Sequence, residues 1–448
     1  MRLLSAVSMD YPPTETEIAR ARTFQTPSIG WGYQARQERD LRLFAIGGSN
    51  TRNSYYSEAI LNRFAKNETH PNWTASMHRF GIGGLHSVDL LGNKLSFESW
   101  NHSQWPNVIM LEFAANIETW NKTTAMQSVD LIVCMLRKKY SVVHLPEPDI
   151  MFLELFNVRS LLEGLITSPN ATREHKLNQL ESVSDLNLCN TILSTKCSNY
   201  FAMRHLAAYY EYPVVSWREL AYNAFVRCYL TVNETFTRSP WLHHNDGMHI
   251  SRAGGQLLYQ TLLGPFFDEI MTPRNESPWQ IGKTNLIPKQ RMFAPVNLSL
   301  DLFAFSFTGL NISQFVRQPT EWRLMKFHEV ENFICSSQQS APLHLSIDIP
   351  AECDQVDTCS VSVGFLHSWN TSHVGNLRCE LYSPSHKLLG SVLVNTTLDE
   401  DGAVMHHTAR VRTNLRVHGA GTYGLNCSKL DSRLTCFTSF AARSIMEV

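Results

Sequence analysis

A serine behind two glycines, and a histidine three residues after an aspartate, are the residues of this chain whose types and spacing could do covalent chemistry. Leu41–Asn50 reads L-R-L-F-A-I-G-G-S-N, an apolar run that breaks at Gly47-Gly48 and delivers Ser49. Far downstream comes Asp246-Gly247-Met248-His249. A strand followed by a glycine turn can set a serine hydroxyl at the open edge of a sheet. A nearby imidazole can then take its proton while a carboxylate holds the imidazole in the right tautomer. The chemistry of such a set is acyl transfer through a covalent serine ester. Taken singly the pieces have plainer uses: Ser49 and Asp246 could each cap a helix, and Gly83-Gly84 could be a simple turn.

To position these residues the chain needs strands that end together, and an α/β rhythm begins at Leu41. Leu43–Ile46 predicts a strand, Ser54–Lys66 a helix, and Met77–Ile82 a weaker second strand. Val108–Phe113 is a continuous apolar run after Pro106, as suits a strand buried on both faces. Thr123–Lys139 predicts a helix, with Met126, Val129, Ile132, Val133 and Leu136 at three- and four-residue spacing and Arg137-Lys138-Lys139 closing its last turn. Ile150–Phe156 and Pro213–Ser216 read as further strands, Tyr200–Tyr210 and Ala253–Leu263 as helices. Alternating strands and helices predict a parallel sheet covered on both faces. Ligands bind at the carboxyl ends of such strands. Ser49, Gly83-Gly84, Asn116 and the Asp246/His249 pair all fall at strand ends or just before the last helix.

The pattern changes in the second half. Leu343–Ile349 alternates apolar and polar, and Cys359–Leu366, Leu377–Tyr382, Leu388–Val394 and Thr408–Val417 are short, turn-bounded runs. These predict an all-β sandwich. The expected organisation is a loosely packed leader or arm over 1–40, an α/β domain over 41–268, a linker over 269–295, and a β-sandwich over 296–448 that is a candidate glycan-binding domain.

Across about 42–263 the chain resembles the SGNH (GDSL-type) hydrolases. The blocks that carry the resemblance are G-G-S (47–49), G-I-G-G-L-H-S (81–87), A-A-N-I (114–117) and D-G-M-H (246–249). E-Y-P-V-V-S-W-R (211–218) is similar to the family's final strand and S-R-A-G-G-Q-L-L (251–258) to its closing helix. The resemblance implies a flavodoxin-like three-layer fold. It implies Ser49 as nucleophile, His249 as general base and Asp246 as its orienting carboxylate. The backbone N–H of Ser49, the N–H of Gly84 and the side-chain amide of Asn116 would form the oxyanion hole. Gly48 stands where the family has Asp, and Ala114 and Ile117 where it has Gly and Asp. The expected activity is hydrolysis of ester-linked acyl groups, with O-acyl transfer open, and acylated carbohydrate is the expected substrate. The alternative expectation is an inactive glycoprotein of this fold that binds glycan or a cell surface.

Bulk properties narrow the partners. The 448 residues carry a formal net charge of −1, 43% apolar and 18% charged residues. There is no basic stripe of the kind nucleic acid requires, and no run of eighteen apolar residues for a membrane span. No cofactor is expected. His243-His244 beside Asp246 lack further ligands at zinc spacing, so no metal is expected either. Twelve Asn-X-Ser/Thr sequons, at Asn67, Asn72, Asn101, Asn121, Asn170, Asn233, Asn275, Asn297, Asn311, Asn370, Asn395 and Asn426, predict passage through a secretory lumen. Ten cysteines, four before residue 230 and six after 330, suit disulfides. Short loops favour Cys353–Cys359 and Cys427–Cys436, while Cys134, in an apolar helical stretch, reads as a buried thiol. The apolar stretch in the first residues is too short for a signal peptide: either the true start lies upstream, the favoured expectation, or the sequons go unused.

Overall fold

The computed structural model describes residues 13–23, 30–52, 55–66, 70–81, 95–113, 122–155, 196–221, 249–272, 322–327, 331–336, 342–349, 359–367, 376–394, 409–417, 419–433 and 435–444. They belong to two compact units, one of 1–87 and 96–293, the other of 88–95 and 294–448.

The first unit is built on five parallel strands: β1 (Asp40–Gly47), β2 (Thr74–Gly81), β3 (Val108–Glu112), β4 (Asp149–Glu154) and β5 (Val214–Ser216), in the order β2-β1-β3-β4-β5. Every residue of β3 and all but the first of β4 are buried. This is what an apolar run needs when helices cover both faces. β2 is an edge strand, and Met77 is its one buried residue. The chain leaves β1 outward to β2 and returns across it to β3. That reversal makes the crevice at the ends of β1 and β3 the switch point of a doubly wound sheet.

Helices form both outer layers. On one face Leu41, Leu43, Ala45, Met110 and Leu153 share a core with residues of α1 (Glu15–Thr23), α2 (Tyr33–Glu38), α4 (Tyr55–Lys66), α7 (Arg252–Leu258) and α8 (Gly264–Met271). On the other, Phe44 meets Phe97 edge-on at 5.1 Å, and Phe97 meets Trp105 of the same layer. Trp105 in turn packs on Tyr140 of α5 (Lys122–Val142) at 5.0 Å. The short helix α3 (Ser49–Arg52) follows β1 directly, and α6 (Lys196–Tyr210) packs on α5 and β4. The three-layer α/β arrangement read from the periodicity is therefore the observed one.

Two boundaries differ from expectation. The described part of the leader is helical and packed: Ala21, Trp31 and Ala35 are buried, and the Trp31 indole N–H donates to the Ile150 carbonyl at 3.1 Å. Three apolar contacts dispersed in a polar stretch leave little periodic signal, which is why it reads as an arm. At the other end the helix expected to stop at Leu263 passes through a π turn (Tyr259–Leu263) and continues as α8, whose last three residues enter the expected linker. Phe266, Phe267, Ile270 and Met271 of α8 are buried.

The second unit is the expected sandwich of two antiparallel sheets. One comprises β8 (Pro342–Ile349), β10 (Leu377–Tyr382), β11 (Leu388–Val394) and β13 (Gly421–Lys429), in the order β11-β10-β13-β8. The other comprises β6 (Arg323–Phe327), β7 (Glu331–Ser336), β9 (Cys359–His367), β12 (Ala409–Val417) and β14 (Thr435–Ser444), in the order β12-β9-β14-β7-β6. Strict alternation puts Leu343, Leu345, Ile347 and Ile349 of β8 inside, with Tyr423, Leu425 and Cys427 of β13.

The disulfides correct one expected pairing. Cys379 bonds Cys427, its register partner across β10 and β13, and Cys335 bonds Cys436 across β7 and β14. Cys427 and Cys436 lie on different sheets, each bonded to its own neighbour in register, although only eight residues separate them. Cys353 of the other expected pair lies outside the described residues. Cys134 is a half-buried thiol with its sulfur 3.8 Å from the Tyr210 hydroxyl. Among the described residues no helix is long and apolar enough to cross a membrane.

Candidate functional site

The carboxyl end of β1 is held by close packing and one buried acid. Gly47 is the last strand residue. A Cβ there would lie 2.3 Å from Thr51 Oγ1 and 2.6 Å from the Glu112 carbonyl oxygen. The turn can therefore sit against β3 only with glycine at this position. The Gly48 N–H donates to Glu112 Oε2 at 3.2 Å, and the Thr51 hydroxyl donates to the same oxygen at 3.1 Å. Thr51 also pairs with the Tyr56 hydroxyl at 3.2 Å, which ties the start of α4 to the turn.

Glu112 is 1% exposed. Burial pushes its carboxyl up to about 8, against the opposing pull of hydrogen bonds from Thr51 and Gly48. At pH 7 it is predominantly a neutral acid. Its Oε1 has no hydrogen-bond partner among the described residues. Where the resemblance leads one to expect an Asp at position 48, the carboxyl that touches this turn comes from the neighbouring strand.

Ser49 opens α3 immediately after the turn. His249 is half-buried and precedes Ile250, whose N–H donates to the Asn50 side-chain oxygen at 3.0 Å. Asn50 follows Ser49 and is itself buried. One hydrogen bond thus joins the residue after the serine to the residue after the histidine, across 200 positions of sequence. The segment beyond is seated as firmly. The Ser251 hydroxyl caps α7 by accepting the Gly254 N–H at 3.0 Å. A Cβ on Gly255 would lie 2.7 Å from the Tyr56 nitrogen and 2.8 Å from the Tyr55 Cβ. Glycine there lets α7 lie directly on the start of α4.

A second polar cluster occupies the carboxyl ends of β4 and β5. Arg204 of α6 grips Glu154 with both Nε and Nη2, reaches Ser216 at 3.1 Å and Glu219 at 2.9 Å, and Ser216 donates to Glu154. Arg20 of α1 closes the set on Glu219 at 2.8 Å. The Glu154 side chain is wholly buried, and its paired, bidentate arginine is what makes a charge tolerable there.

Of the expected site residues, Ser49 and His249 belong to segments that the structure brings together. Asp246, Gly84 and Asn116 lie outside the described residues, as do His243 and His244. Motif matching passed over Asn50, Thr51 and Glu112. The signal for Glu112 was present: it is the single charged residue in the strand V-I-M-L-E, and a buried strand does not end in a carboxylate without a reason.

No protein-family profile matches this chain, and no curated protein matches it either. Solved structures do match. An acetyl xylan esterase is 14% identical, covering 49% of this chain and 97% of its own, at a TM-score of 0.32. A member of the lipolytic G-D-S-L family from Veillonella parvula is 10% identical, covering 49% and 95%, at 0.31. The C-terminal CBM6 of a laminarinase from Zobellia galactanivorans is 12% identical, covering 28% and 90%, at 0.21. At such scores the strand order, not the likeness, decides the fold: the first unit is a doubly wound parallel α/β domain and the second an antiparallel β-sandwich.

Proposed function

We propose that the chain is a serine ester hydrolase acting on O-acyl groups of carbohydrate. The observation that carries this is the Ile250 N–H to Asn50 bond at 3.0 Å, because it draws the serine turn and the histidine segment to one edge of the sheet. That edge is the switch-point crevice, where doubly wound sheets hold their ligands. In this reading Ser49 Oγ attacks the ester carbonyl while His249 takes its proton. The tetrahedral oxyanion is met by the N–H groups of Ser49 and Gly84 and the amide of Asn116. His249 then returns the proton to the leaving alkoxide, which departs as an alcohol. Water, deprotonated by the same imidazole, releases the acid and regenerates Ser49. Asp246 orients the imidazole. One oxyanion donor contributes about 3–4 kcal/mol to such a transition state.

The carbohydrate part rests on context. Twelve sequons and the two cross-strand disulfides favour an extracellular or lumenal location, and a β-sandwich follows the α/β unit in the same chain. The test is labelling by a fluorophosphonate probe. Wild type labels, and Ser49→Ala and His249→Ala do not; release of acetate from acetylated glycans then separates sugar esters from aryl esters. A folded wild-type protein that stays unlabelled would refute the proposal.

A further inference from the structure

The outer face of the four-stranded sheet carries a cleft of about 830 Å3, and its floor is shaped by a glycine that the fold does not need. Cross-strand register places Glu380, Asn426 and His344 in one row, and Tyr382, Gly424 and Ser346 in the next. The alternation that buries Leu345 and Leu425 turns these residues outward. Gly424 lies mid-strand, with no positive φ to require glycine. A Cβ built there would lie 3.8 Å from the Tyr382 Cβ, an ordinary contact. Neither packing nor backbone conformation therefore explains it, although glycine inside a strand costs stability and often marks close approach of a ligand. What it does is leave open the space beside the Tyr382 ring.

The polar groups around that space are held in place. The Tyr382 hydroxyl donates to Glu380 Oε2 at 2.7 Å, which fixes the ring along its own strand. His344 Nδ1 and Asn426 Oδ1 are 2.7 Å apart. This contact holds the imidazole against the Asn426 side chain, and both present polar atoms to the cleft. A pinned aromatic ring beside an amide and an imidazole matches a sugar ring, which presents C–H groups on one face and hydroxyls, both donor and acceptor, at its rim. Among the described residues no Lys or Arg lines the cleft, and the Glu380 carboxylate stands at its edge on the Tyr382 hydroxyl. Both facts disfavour anionic ligands and nucleic acid.

We infer that this cleft is a saccharide-binding site for neutral glycan chains, with Tyr382 as its stacking platform and Gly424 as the gap that admits the sugar. The inference is independent of the hydrolase proposal, since it concerns only the sandwich. It also requires that Asn426, although it begins an Asn-Cys-Ser sequon, carries no glycan, because a glycan there would fill the cleft.

The experiment is calorimetric titration of the full chain with xylohexaose, laminarihexaose and mannohexaose, with a heparin oligosaccharide as the anionic control. At least one neutral hexaose binds. Tyr382→Ala and Gly424→Val each weaken it about tenfold or more, and Gly424→Val keeps the melting temperature of the parent because valine suits a strand. Four results would overturn the inference: no binding of any neutral hexaose, preference for heparin, binding unchanged in both variants, or glycopeptide mapping that finds Asn426 occupied. Unfolding of Gly424→Val would overturn the account of the glycine, and Tyr382→Ala then decides the site alone.

Discussion

Replacing Glu112 with glutamine would remove a pH-dependent penalty from the first unit. The folded carboxyl is pushed up to about 8 from its ordinary 4.5, chiefly by desolvation. Below pH 4.5 the group is protonated in both states and folding is indifferent to it. Between 4.5 and 8 the unfolded chain gives up the proton and the folded chain keeps it, so stability falls as pH rises. Above 8 both states are ionised and the loss is complete. At 1.36 kcal/mol for each pH unit, wild type loses about 3–4 kcal/mol between pH 5 and pH 8 from this group alone. The amide of the Glu112→Gln variant does not titrate, and its oxygen still accepts the Gly48 N–H and the Thr51 hydroxyl. Urea denaturation of both proteins at pH 5, 6, 7 and 8 isolates the difference, since all other groups are common to the pair. The variant gains on wild type steadily as pH rises, and its probe labelling at pH 7 is retained. Two profiles that run parallel within about 1 kcal/mol would show that Glu112 is not a buried neutral acid, and the reasoning from burial would fail.

The remaining predictions concern the other supports of the site. Asn50→Ala leaves the buried Ile250 N–H without its acceptor, which costs about 1–3 kcal/mol. Its sharper effect is to slow fluorophosphonate labelling by tenfold or more, whereas Asn50→Asp, which keeps the acceptor, labels faster than Asn50→Ala. Equal labelling rates in the two variants would separate the bond from the site. Arg204→Met strands the wholly buried Glu154 at the end of β4, while Glu219 keeps Arg20, and lowers stability by about 3–5 kcal/mol in urea titrations. A loss under about 1 kcal/mol would mean that the cluster relaxes or admits water.

Residue order alone was enough for everything that depends on near neighbours. Buried strands announce themselves as apolar runs, so Val108–Glu112 and Asp149–Glu154 were legible almost to the residue. The helix Lys122–Val142 was legible from three- and four-residue spacing, and the sandwich from short alternating runs. The turn after β1 was legible because two glycines close an apolar run. Where interactions join distant positions, sequence was mute. Disulfide pairing follows strand register, which put Cys427 opposite Cys379, 48 residues away, and not beside its near neighbour Cys436. α1, α2 and the turn before α2 hold to the core through a few residues such as Ala21, Trp31 and Ala35, too few to make a pattern. The state of Glu112 is the clearest case. Its type and position could be read from the chain, but its protonation is set by how completely β1, α3 and α4 exclude water around it, and only the folded molecule decides that.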